Sequence, residues 1–68
     1  MFVLSLDEAL SLLRKANEEI VRYIEREGYN EKVKTAREYF IDAVNVLLDK
    51  KVDNAIYLLN KAIEVLSR

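Results

Sequence analysis

The chain has 68 residues, 51% of them hydrophobic and 34% charged, with a formal net charge of −1. It contains no Cys and no His. That excludes disulfides, Ser-His and Cys-His nucleophilic catalysis and the Glu-x-x-His metal sites of helical bundles, and it argues against a structural zinc site. A single Gly excludes Gly-rich phosphate loops, and the balanced charge advertises neither nucleic acid nor an anionic membrane.

Helix 1 is expected at about 6–27. Ser5 is placed to cap it, with Glu8 three residues on completing a capping box and Leu4 available to staple onto Ala9 or Leu10. Gly28 stands where a left-handed residue past a helix end is wanted, and Tyr29-Asn30 finishes the turn. Asn30 then caps helix 2, expected at about 31–49, with Glu31 suiting the dipole of its first turn. The next connection, Asp49-Lys50-Lys51-Val52-Asp53, has neither Gly nor Pro, so one continuous helix competes with a break. The break is preferred because Val52-Asp53 repeats Leu6-Asp7, and helix 3 is expected at about 53–67.

Apolar residues recur at three and four rather than at two, so no strand reading competes. One all-α domain spanning 1–68 follows: three antiparallel helices with short turns. No apolar run approaches the length of a membrane-spanning helix. Met1-Phe2-Val3-Leu4 lacks the basic region and cleavage site of a secretory signal, so a cytoplasmic location is expected. The charge-rich, Cys-free composition also fits a thermophile source.

The first and last helices read as one helix written twice. Asp7 to Ala16 aligns without gaps on Asp53 to Ala62 at an offset of 46, continuing through Glu18 with Glu64, Ile20 with Leu66 and Arg22 with Arg68. The shared pattern sets alanines seven apart with leucines between them, as close helix packing requires. At about 100° per residue, helix 1 carries a stripe of Leu6, Ala9, Leu10, Leu13, Ala16, Ile20, Tyr23 and Ile24. Helix 3 carries Ala55, Ile56, Leu58, Leu59, Ala62, Ile63, Val65 and Leu66. Helix 2 is apolar over roughly 220°, which implies cover on more than one side. In a three-helix monomer it would touch two neighbours and still expose apolar surface, the mark of an interaction face. The expected contact residues are Tyr39, Ile41, Val46, Leu48 and Leu58, at the edges of their stripes, and the expected assembly is a homodimeric helical bundle.

Two polar residues interrupt these faces. Asn17, between Leu10, Leu13 and Ile24, either fixes helix register or oligomer state or sees water where the bundle widens. Arg37, between Val44 and Leu48, either lays its stem over apolar surface or reaches a carboxylate such as Glu27 of another subunit. Glu31, Glu38, Asp42 and Asp49 form a row along helix 2, which reads as a solvated face or as a weak cation or docking stripe. Basic residues at Arg14-Lys15, Arg22, Arg26, Lys32-Lys34 and Lys50-Lys51 are interspersed with acids. Asn54, Tyr57, Asn60, Lys61, Glu64 and Arg68 are expected on the outer face of helix 3, where Tyr57 could anchor a partner.

The segment Ala36 to Val65 resembles one tetratricopeptide repeat. Ala55 and Ala62 take the two alanines of the repeat's second helix, Val52 its preceding aromatic position and Ala43 the small position of the first helix. Lys50 stands where the repeat has its turn glycine, and the closing proline is absent. The same segment, with Tyr39-Phe40-Ile41-Asp42-Ala43, resembles a group of small archaeal helical proteins of unknown function. Both resemblances imply helical hairpins that bind other proteins or their own copies. The expected function is a non-enzymatic interaction or assembly module without cofactor or metal, partnered by its own copy or by another helical protein. The alternatives are a small dimeric nucleic-acid-associated regulator and an engineered bundle. The near-duplicate helices favour the engineered bundle; Asn17 and the irregular second turn oppose it.

Overall fold

The structure is a computed structural model that describes the backbone of residues 2–68 and the side chains of residues 6–68. Three helices follow in order: α1 (Phe2–Glu27), α2 (Glu31–Leu48) and α3 (Val52–Ser67). No strand is present among the described residues.

α1 begins four residues earlier than expected, which places Ser5 inside the helix rather than at its cap. The reason is that Phe2-Val3-Leu4 holds no Gly or Pro, so propagating a formed helix backwards is easier than stopping it at a serine. The staple expected of Leu4, like anything resting on Met1, lies outside the described residues.

The first turn forms as its residues dictate. Gly28 takes φ +83°, open to glycine at no steric cost, and its N–H donates to the Ile24 carbonyl at 2.8 Å. Asn30 is the N-cap of α2: its Oδ1 accepts from the N–H groups of Lys32 at 3.0 Å and Val33 at 3.3 Å. Its Nδ2 donates to the Tyr23 hydroxyl at 3.2 Å, so one side chain closes the turn on both helices.

The second turn is a complete Schellman motif. The Lys51 N–H donates to the Val46 carbonyl and the Lys50 N–H to the Leu47 carbonyl, each at 2.9 Å. Lys50 occupies the left-handed position with φ 66°. Asp49 and Lys50 thus end α2 without a glycine, and the fresh start at Val52 excludes the continuous helix. Left-handed backbone costs an ordinary residue about 1–2 kcal/mol, against about 0.5–1 kcal/mol for a glycine's extra freedom when unfolded. Lys50→Gly is therefore expected to stabilise the fold by about 0.5–1 kcal/mol, raising Tm by a few degrees. A thermal melt that shifts down instead would mean that Lys50 carries no such strain.

α1 and α3 run the same way and α2 runs against both. Ile20 and Tyr23 of α1 meet Val33 and Ala36 of α2 and Ala62 and Leu66 of α3 at one end. Ala16 meets Ala43, Ala55 and Leu59 further along. The long axis of 38 Å is the length expected of a 26-residue helix, at about 1.5 Å per residue.

The central helix is α3, although α2 carries the broader apolar arc. α3 packs along both other helices, whereas α1 and α2 touch little. The reason lies in side-chain size. Ala55 and Ala62 let two neighbours approach α3 closely, and Leu59 between them is, with Val33, one of the two largest fully buried side chains among the described residues. The 46-residue repeat has a structural meaning here: Ala9 and Ala55, Ala16 and Ala62, and Ile20 and Leu66 are all buried. Among the described residues, six of the twelve buried hydrophobic ones are alanines, so this core is narrow.

Candidate functional site

Because α3 bridges α1 and α2 from one side, the opposite side is left as a groove between them. Leu10, Leu13, Arg14 and Asn17 of α1 and Phe40 of α2 line an open cleft of about 440 Å³ there. Leu13 and Phe40 also pack against the core, so they form the floor. On α1, Leu6, Val21 and Ile24 lie on the same side as Leu10 and Asn17, by the turn of about 100° per residue. On α2 the arc running from Phe40 through Val44 and Arg37 reaches Leu48 and Ile41.

The exposed apolar residues sort accordingly. Eight large hydrophobic residues are exposed among the described ones: Leu6, Leu10, Val21, Ile24, Tyr29, Ile41, Leu48 and Tyr57. All but Tyr29 and Tyr57 flank this one groove, and Leu48 is 77% exposed. Scattered exposed leucines are ordinary, but a row of them on both banks of a cleft is not.

The five residues expected to make contacts divide in two. Ile41 and Leu48 are exposed on the groove side of α2. Tyr39, Val46 and Leu58 are half-buried and pack against the core of their own chain. The α1 bank was hidden from the sequence reading because Leu6, Leu10 and Ile24 fall within a stripe that looks wholly internal. α3 covers only the alanine side of that stripe. The signal was the stripe's own width: Leu6, Leu10 and Asn17 lie well round the helix from Ala9 and Ala16.

Asn17 is exposed in the cleft wall. Arg37 is exposed too, and its Nη1 donates to the Tyr29 hydroxyl at 3.2 Å. Within the chain, Glu27 lies 3.4 Å from the Arg26 Nε.

The outer faces are polar and locally paired. Tyr57 is 61% exposed, with the Lys61 ammonium 5.6 Å from its ring centroid. Glu64 takes Lys61 at 3.6 Å and Arg68 at 3.8 Å, and Arg22 pairs with Glu19 at 3.7 Å. Lys32 Nζ donates to the Arg68 carbonyl, tying the start of α2 to the end of α3. Neighbouring acids thus offset several of the cations that could have formed a basic patch. Glu31, Glu38, Asp42 and Asp49 are all exposed. The described residues hold no group of three or more His, Cys, Asp or Glu placed to share a metal ion, and no polar or charged residue is buried among them. None of the described helices is long and apolar enough to cross a membrane.

No protein-family model, curated protein or solved structure matches this chain. The reading of its function therefore rests on the groove.

Proposed function

We propose that this chain is a non-enzymatic assembly module that works by taking an amphipathic helix into the groove between α1 and α2. The observation that carries the reading is the gathering of exposed apolar side chains on the two banks of that groove, over a floor of Leu13 and Phe40. Helix-in-groove docking needs this shape: parallel apolar ridges, spaced to accept the ridge of a third helix. The likeness of the α2–α3 segment to helical-hairpin repeats that bind proteins is in keeping with it.

Because the chain has no cysteine, one can be introduced and labelled alone. A polarity-sensitive dye at Leu10→Cys reports on the groove, and the same dye at Glu38→Cys reports on the acidic face. Titration with unlabelled protein, and separately with a soluble amphipathic heptad-repeat peptide, should shift the Leu10 dye to the blue and leave the Glu38 dye unchanged. If neither titrant moves the Leu10 dye, or both positions move alike, the groove is not a docking site.

A further inference from the structure

We propose that the helix filling the groove is α1 of a second copy of this chain, laid antiparallel across a two-fold axis and held in one register by Asp7, Arg14 and Asn17. The proposal rests on the groove reading above and names its occupant.

The groove-facing residues of α1 recur as Leu6, Leu10, Leu13, Asn17 and Ile24, at intervals of four, three, four and seven. That is a heptad seam, with Leu10, Asn17 and Ile24 at one core position and Leu6 and Leu13 at the other. An isologous contact requires a patch complementary to itself. Laid antiparallel, this seam is: Leu10 meets Leu13 of the partner and Leu13 meets its Leu10, while Leu6 and Asn17 meet at both ends.

The flanking charges agree with that register. Asp7 and Arg14 are exposed on one flank of the seam, seven residues apart, and neither forms an ion pair among the described residues. Antiparallel pairing sets Asp7 of each copy beside Arg14 of the other, giving two opposite-charge contacts by symmetry. Shifting by one heptad sets Arg14 against its own copy and moves Asn17 between leucines at the centre, where its amide would lose water without a partner. One arginine and one asparagine thus select against the nearest competing arrangement.

The narrow core supplies the drive. Small domains without disulfide or metal commonly complete their burial by oligomerising. Here the protomer leaves Leu10 48% and Leu6 42% exposed, while half of the buried hydrophobic residues among the described ones are alanines.

The test is sedimentation equilibrium with light scattering over a range of concentrations, on the whole chain and four variants. Wild type should reach twice the chain mass of 7.9 kDa. Asp7→Arg and Arg14→Asp should each weaken the dimer about tenfold, since both symmetric pairs turn repulsive, and the double exchange should restore it to within about threefold. The exchanged residues are exposed, and far-UV circular dichroism checks that each variant folds. A monomer at every concentration overturns the second copy but leaves the groove reading to the dye at Leu10. A dimer indifferent to both single exchanges overturns the antiparallel α1 pairing. A dimer that also ignores Leu10→Glu has its contact elsewhere and overturns both readings.

Discussion

Leu59→Ala is expected to cost about 3–5 kcal/mol, the upper part of the range for truncating a buried leucine. Leu59 is fully buried at the middle of α3 and clusters with Ala16, Ala43 and Ala55. The cost of such a truncation depends on how far the surroundings collapse into the space. Its fully buried neighbours cannot, since alanines have no side-chain rotamers with which to reach in, and the larger side chains packed on this cluster, Leu13, Phe40 and Leu47 among them, are half-buried at its edge. The cavity therefore persists, and its unfilled volume adds to the lost transfer energy. At roughly 0.05–0.15 kcal/mol per residue, a chain of this size has about 3–10 kcal/mol in total. The variant should thus lose from about a third to all of that stability, as urea denaturation or a thermal melt at fixed protein concentration would show. Leu59→Met keeps the volume and should cost less than about 1.5 kcal/mol. If the alanine variant loses under 1 kcal/mol, α3 is not the helix around which this fold is built.

Much of the fold is written in local chemistry. Gly28 and Asn30 are the residues a tight helix–helix turn needs, and they do in the structure what their types allow. The 46-residue repeat announces two helices with one packing face, and its alanines are the buried ones. The second turn is less legible, because Lys50 takes a conformation that its side chain does not advertise; only the fresh helix start at Val52-Asp53 betrays the break. The start of α1 is obscured for the converse reason: Ser5-Leu6-Asp7-Glu8 spells a cap, yet Phe2-Val3-Leu4 continues the helix.

The groove was the least legible feature. Hydrophobic periodicity says which side of a helix is apolar but not how many neighbours share that side. α2 carries the widest apolar arc, yet α3, with alanines at the heart of its stripe, is the helix that packs along both neighbours. The exposed apolar surface therefore lies in the space between α2 and α1 rather than along the stripe edges of α2 and α3. Ile41 and Leu48 stay on it, Tyr39, Val46 and Leu58 leave it, and Leu6, Leu10 and Ile24 join it. A contact surface set by which helix sits in the middle is a tertiary property, so residue-by-residue reading found only part of it.

The same argument predicts that enlarging an alanine of the repeat damages the fold as surely as shrinking the leucine. Ala62→Leu should lower stability by about 2–3 kcal/mol, although leucine is nearly alanine's equal as a helix former. Ala62 has no exposed surface and sits among Ile20 and Tyr23 of α1 and Val33 and Ala36 of α2. An isobutyl group there must push one helix away or drive itself off-rotamer, and either response opens gaps along the interface. Ala16→Leu, at the aligned position of α1, should behave alike, because Ala16 is equally buried against α3. Ser11→Leu is the control: Ser11 is exposed on the outer side of α1, so the same side chain should change stability by under about 0.5 kcal/mol. Urea midpoints at matched protein concentration separate these cases, with unchanged slopes showing that native compactness is kept. Should Ala62→Leu and Ser11→Leu melt alike, the helices do not approach through their alanines, and the repeat has some meaning other than close packing.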